Sequence, residues 1–191
     1  MKKLNNKGFT LIELLAVIVI LAIVMGISAN AVLTSINNSR RSSLYSAAQN
    51  AANTLNNWAT EDAMVSESNG KMLGDKFVNA LNGSAWKCLN SGDVANIQNR
   101  ASTTNPSTNL LTALGINIKD IEIGSTPPTF NTTSKKYTNI ASACSAIRYN
   151  SSTGGYELFL RAKSGGKFYV TTDADHFAFS RASGTNEQIA D

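Results

Sequence analysis

The sequence predicts an α+β protein: one long N-terminal α-helix, half transmembrane and half amphipathic, packed on a C-terminal antiparallel β-meander. Three observations carry this. A run from Phe9 to Ala29 is apolar apart from one ionisable side chain, Glu13. Apolar residues then recur at three- and four-residue spacing as far as Trp58, the pattern of a helix with one buried face. From Tyr137 onward, alternating runs are separated by glycine-rich turns, the pattern of antiparallel strands.

Composition narrows the class. The 191 residues suffice for one moderate globular domain plus an appendage. Charged residues make up 16% and hydrophobic residues 42%, which excludes a wholly disordered chain. Lys2, Lys3 and Lys7 supply most of the net charge of +4, and the rest of the chain is close to neutral, unlike a strongly cationic nucleic-acid protein. Two cysteines do not make a disulfide-dense scaffold.

The first element is the apolar run. Leu14 to Ile27 contains no charge, and the whole stretch reaches the ~20 residues that cross a bilayer as a helix. The three lysines before it stay in the cytoplasm, which predicts a single pass, N-in and C-out. A secretory signal cleaved at Ala29-Asn30-Ala31 and a plain signal anchor both fit the hydropathy. Neither explains Glu13, because a carboxyl at the centre of a membrane helix costs ~2.5–3.5 kcal/mol.

The run Lys7-Gly8-Phe9-Thr10-Leu11-Ile12-Glu13, followed by a long apolar helix, resembles the class III signal of type IV pilins and pseudopilins. The resemblance covers about the first 60 residues. It implies the pilin fold, cleavage after Gly8, N-methylation of the new terminus Phe9, and an assembly role for Glu13 paired with the amine of a neighbouring subunit. It implies as partners copies of the same chain in a helical filament, other pilins, the prepilin peptidase, and a membrane assembly platform with a cytoplasmic ATPase. It implies residence in the cytoplasmic (inner) membrane before assembly and in a cell-surface pilus afterwards, serving adhesion, motility or colonisation. A pseudopilin of a type II-like secretion or DNA-uptake system shares the same motif. A secreted binding domain released after Ala31 is the rival from another class. Many family members carry a proline near the position of Asn30. Here Gly26 and Asn30 are only weak helix formers, so a proline kink is not expected.

The chain then divides into a leader over 1–8, a transmembrane or filament-core helix over 9–32, an amphipathic half over 33–60, a connecting αβ region over 61–136, and a sheet with its tail over 137–191. A helix from Phe9 to Trp58 would be about 75 Å long, more than twice a bilayer. Leu33, Ile36, Leu44, Ala48, Ala51, Leu55 and Trp58 form its packing stripe, with Arg40 in one slot. Asn37, Arg41, Ser42, Gln49, Asn53 and Asn56 lie opposite. Ala47, Ala48, Ala51 and Ala52 suit either a helix bundle or an ordinary core.

In the connecting region, Met72, Leu73, Phe77, Val78 and Leu81 predict a short helix stopped by Gly83, and Thr108–Leu114 another stopped by Gly115. Ser102–Ser107 and Ser125–Pro128 read as loops. Ile116/Ile118 and Ile121/Ile123 read as short strands or a bulge. In the last region, Tyr137–Tyr149 reads as one strand. Tyr156, Leu158, Leu160 and Ala162 alternate with Glu157, Arg161 and Lys163 in a second, Lys167–Thr172 forms a third, and Phe177 and Phe179 fall in a fourth. Gly184–Asp191 reads as a loose tail.

Cys88 and Cys144 are a candidate disulfide against the alternative of two buried thiols, and in an extracytoplasmic compartment the bond is permitted. Many pilins bridge cysteines flanking their last strands, but Cys88 lies too early for that pattern. His176 with Asp173 and Asp175, with or without the cysteines, lacks metal-ligand spacing, so no metal or other cofactor is expected. Phosphate-cradling glycine loops and Gly-x-Ser-x-Gly are absent, so no enzyme is expected. Arg148, Arg161, Lys163, Lys167 and Arg181, with Tyr149, Tyr156, Phe168 and Tyr169, match either a nucleic-acid surface or a solvated sheet face whose aromatics point inward.

Overall fold

The computed structural model describes residues 10–66, 71–83, 85–98, 107–131, 133, 136–139, 142–163, 168–172, 179–181 and 186–187. The chain forms two compact units, residues 1–40 and 41–191.

The first unit is helical. Helix α1 (Leu11–Ala63) begins here and is continuous through Gly26 and Asn30. Thr34 Oγ1 donates to the Asn30 carbonyl at 3.0 Å, a back-bond that Thr makes without breaking a helix. Leu33 and Ile36, expected in the packing stripe, are exposed. The stripe therefore begins one turn beyond Arg40, where the second unit supplies something to pack against.

In the second unit, the buried positions of α1 are Leu44, Ala48, Ala51, Ala52 and Leu55, with Trp58 half-buried. Three of the four alanines therefore serve the core of the body. The helix passes Trp58 and ends at Ala63, because Asp62 has work there. Its carboxylate is buried and accepts Met72 N–H and Leu73 N–H, both at 2.7 Å. These are amide groups at the entry to α2 (Gly74–Leu81), where helix N–H groups lack intrahelical acceptors. Phe77 and Leu81, one turn apart, carry the apolar face of α2 into the core, and Gly83 follows at φ 122, as the stop signal requires.

The sheet has six strands in the order β1-β6-β7-β8-β9-β10, all antiparallel: β1 (Lys87–Cys88), β6 (Ala146–Asn150), β7 (Gly155–Arg161), β8 (Phe168–Thr171), β9 (Phe179–Arg181) and β10 (Asn186–Glu187). Two ribbons complete the body: β2 (Asn96–Gln98) with β3 (Ser107–Asn109), and β4 (Thr129–Asn131) with β5 (Lys136–Thr138). Helix α3 (Leu110–Ala113) is shorter than predicted. Asn109 Oδ1 caps it by accepting Leu111 N–H at 3.0 Å, and Gly115 at φ 69 stops it.

Several expectations are corrected. The single strand over Tyr137–Tyr149 is two strands of different sheets, β5 and β6. Asn139 adopts φ 53, and its carbonyl accepts Ser142 N–H and Ala143 N–H, so the chain turns between them. Ser107 opens β3 instead of closing a loop. Ile116 is buried and Ile118 exposed without a strand, while Ile121 forms a lone bridge to Ala162. Asn186 and Glu187 of the expected tail pair with β9. Phe177 lies outside the described residues.

The largest correction concerns β7. Alternation predicts a strand with one wet face, but Tyr156 through Leu160 are all buried. Leu158, Leu160, Ile147 and Val170 face the core that holds α1 and α2. Phe159 and Tyr169 join a second cluster with Trp86, Tyr137, Ala146 and the cysteines, flanked by Phe130 of β4. The second face is covered by Trp86 and the β4–β5 ribbon, packed in edge-on and tilted pairs at centroid distances of 5.1 to 6.1 Å. Burial in this cluster pushes the Tyr169 hydroxyl up to about 12, since the phenolate would have little solvation there. Glu157, expected outside, is buried and paired. Arg148 stands opposite it in the β6–β7 register and donates from Nε at 2.7 Å, and Asn150 Nδ2 donates at 2.8 Å.

Asn56 was expected on the polar side of the helix. It is half-buried, and its Oδ1 accepts Tyr156 N–H at 2.7 Å, tying the helix to the start of β7. Tyr156 is 5% exposed, so truncating Asn56 leaves an amide donor buried without its partner. Asn56→Ala is expected to cost about 1–3 kcal/mol, measured by chemical denaturation of the full-length protein in detergent.

Candidate functional site

The candidate site is the N-terminal stretch of α1 in the first unit, and its chemistry starts at the helix entrance. Thr10 precedes α1 as its cap. Thr10 N–H and Thr10 Oγ1 each donate to Glu13 Oε2 at 2.8 Å, and Glu13 N–H donates to Thr10 Oγ1 at 3.4 Å. This is a reciprocal capping box, which uses a Thr and a Glu three residues apart to satisfy the first free amides of a helix. The carboxylate also lies at the positive end of the helix dipole, where negative charge is favoured. The resemblance implies an assembly role for Glu13, and the structure adds a local one, for which Thr10-x-x-Glu13 is the legible signal. Among the described residues Oε1 accepts no hydrogen bond, so half of the carboxylate is left for another donor.

Beyond Glu13 the helix exposes its apolar side chains all round. Leu14 is 61% exposed and Ile20 60%, and the pattern continues to Ile27 at 73%. The segment is long and apolar enough to cross a membrane. A surface of this kind in water would aggregate, so its partner is lipid or other apolar helices. No charge interrupts it between Glu13 and Arg40.

The prokaryotic N-terminal methylation motif matches residues 3–29. The chain carries the class III signal typical of type IV pilins and pseudopilins. Its long N-terminal helix and antiparallel sheet make the fold pilin-like. No curated protein and no solved structure matches the chain. The motif implies processing by a prepilin peptidase and handling by pilus-assembly machinery, with the pilin-like protein anchored in the membrane before assembly. Proteins of this type are typically structural subunits without enzymatic activity.

The other sequence-selected residues are distributed as follows. Gly8 and Phe9 lie outside the described residues, as do Asp173, Asp175, His176 and Lys167. Cys88 and Cys144 are joined in a disulfide with their Cα atoms 5.7 Å apart. The cationic set of the sheet does not form one open face. Arg148 pairs with Glu157 and lies 4.8 Å over the Trp86 ring, and Arg161 Nε donates to the Ala143 carbonyl with Glu122 nearby at 3.8 Å. Tyr156 and Tyr169 are buried. Two of the five cations and two of the four aromatics thus serve the interior, which removes them from a nucleic-acid surface.

Proposed function

We propose that this pilin-like protein is a structural subunit of a type IV pilus. The prepilin peptidase cuts after Gly8 and methylates the amine of Phe9. The subunit waits in the cytoplasmic membrane, N-in and C-out, until the ATPase-driven platform lifts it into a filament. Phe9–Ile27 then becomes filament core, and the carboxylate of Glu13 pairs with the Phe9 amine of a neighbouring copy. That amine has an unperturbed pKa of ~7.7–8.0 and is mostly cationic at neutral pH. Adhesion, motility or colonisation would follow from the filament and from the surface its bodies present.

One observation carries this reading: an exposed apolar stretch over residues 11–27 whose one acid, Glu13, lies at its entrance, with one carboxylate oxygen accepting no hydrogen bond among the described residues. A plain anchor would need that acid only as a helix cap, and a cleaved secretory signal would discard it. The test is N-terminal sequencing of protein recovered from the cell surface. It is expected to begin at N-methylated Phe9. A start between Asn30 and Val32 would identify a released extracellular domain and end the filament reading.

A further inference from the structure

The first unit spaces its charges in a way that the proposed pairing of Glu13 leaves unused. From Glu13 to Arg40 the helix advances 27 residues without an Asp, Glu, Lys or Arg, or about 40 Å at 1.5 Å per residue. A bilayer measures ~30 Å across its hydrocarbon and ~40–45 Å with its headgroups. A typical tilt of ~20° shortens the helical span by only a few Å.

The composition changes in step with those zones. Leu14 to Leu33 is overwhelmingly apolar, and its 20 residues cover the ~30 Å of hydrocarbon. Thr34, Ser35, Asn37, Asn38 and Ser39 follow, uncharged hydrogen-bonding side chains with Ile36 alone among them. With Glu13 at the inner hydrocarbon boundary, Leu33 reaches the outer one. The hydroxyls and amides then cross the headgroup zone, and Arg40, about 10 Å beyond Leu33, stands just outside it with a long side chain that leans back toward the helix N-terminus and reaches the lipid phosphates. Arg40 is exposed and makes no ion pair among the described residues. A cation on the translocated side also runs against the bias that Lys2, Lys3 and Lys7 set, so its position calls for a partner there.

We propose that Arg40 docks the membrane-held subunit to anionic phospholipid headgroups of the outer leaflet. A guanidinium forms two parallel hydrogen bonds to one phosphate, and its alkyl stem can lie along the apolar turn below. The contact fixes how deep the helix sits while the subunit waits for extraction. This inference rests on membrane anchoring before assembly, and the test reads the two separately.

The full-length protein is reconstituted in phosphatidylcholine vesicles containing trace nitroxide-labelled phosphatidylglycerol or nitroxide-labelled phosphatidylcholine. Electron paramagnetic resonance then gives the protein's preference between the two, and protease protection on the same vesicles reports insertion. Arg40→Gln is expected to lower the preference for phosphatidylglycerol by about fivefold, the factor equivalent to ~1 kcal/mol per basic residue at an anionic surface. Arg40→Lys should retain most of it. Inorganic phosphate at matched ionic strength should leave the preference unchanged. An inserted Arg40→Gln with unchanged preference overturns the headgroup role and leaves anchoring intact. Displacement of the labelled lipid by inorganic phosphate would make Arg40 a site for free anions and would equally overturn it. A wild-type chain that fails to insert removes both.

Discussion

Glu13→Ala is expected to insert and be processed normally yet yield about a hundredfold fewer filaments, counted by electron microscopy of sheared surface material. The magnitude comes from the cost of an unpaired carboxyl in an apolar environment, about 3 kcal/mol, which corresponds to roughly a hundredfold bias toward the register that pairs it. Alanine removes two things at once, however, because the same carboxylate closes the capping box with Thr10. Glu13→Gln separates them. Glutamine keeps an acceptor for Thr10, as capping boxes built on Gln do, but has no charge to offer an ammonium. If subunit pairing governs assembly, Glu13→Gln fails as badly as Glu13→Ala. Wild-type piliation in Glu13→Gln would reduce Glu13 to a helix cap and refute the pairing mechanism.

The geometry also explains how one acid can hold both roles. Both Thr10 donors converge on Oε2, so the membrane-held subunit keeps its carboxylate partly satisfied without giving up Oε1. In the proposed assembly, a neighbour's amine would add a partner to a carboxylate already oriented, and little side-chain entropy would be lost on docking. Thr10→Ala tests this at lower stakes: it keeps the charge and the residue-10 N–H donor but removes the Oγ1 donor and the cap on Glu13 N–H, so the filament count is expected to fall far less than in Glu13→Ala.

The long helix and the meander were legible because each rests on a local signal. For α1 these are an uninterrupted apolar run and then a period near 3.6, and for the sheet they are alternation bounded by glycine turns. What escaped the sequence depends on contacts between distant segments. Glu157 reads as an outward position in β7, yet Trp86 and the β4–β5 ribbon cover that face, and Arg148 and Asn150 of the neighbouring strand make the burial tolerable. Asn56 reads as solvent-facing because amides usually are. Its partner is the amide of Tyr156, a hundred residues on. Leu33 and Ile36 continue the helical period perfectly well, but periodicity cannot say whether anything packs against it. The Thr10 cap differs in kind: Thr10-x-x-Glu13 is a local signal that needs no distant contact to be legible.

Loss of the Cys88–Cys144 crosslink is expected to destabilise the body by about 4 kcal/mol. The bond closes a separation of 56 residues, and a loop of that length gives this value through the entropy removed from the unfolded chain. That is a large share of the ~5–15 kcal/mol that holds a typical domain. The enclosed segment contains β2, β3, α3, β4 and β5; its start joins the sheet through β1, a strand of two residues paired with Ile147 and Ala146, and its middle meets the far end of β7 through the Ile121–Ala162 bridge and Glu122 N–H donating to the Arg161 carbonyl. So short an edge strand has little hold of its own, which makes the covalent tie the main clamp at that edge. Both sulfurs are buried, Cys88 at 5% and Cys144 at 0% exposure, so reductant should act on the unfolded chain and hardly on the native one. Denaturation with and without reductant isolates the crosslink, because reduced protein keeps both sulfur atoms and loses no packing volume. Cys88→Ala with Cys144→Ala should then lie below even the reduced wild type by the cost of the cavities it creates. Intact mass after alkylation verifies the redox state of each sample. A reduced wild type within about 1 kcal/mol of the oxidised form would overturn the clamp, since the expected loss is several times larger. In that case the apolar anchors Leu89, Val94, Ile97, Leu110 and Ile121, all of them in the main core, would already hold the segment as tightly as the bond does.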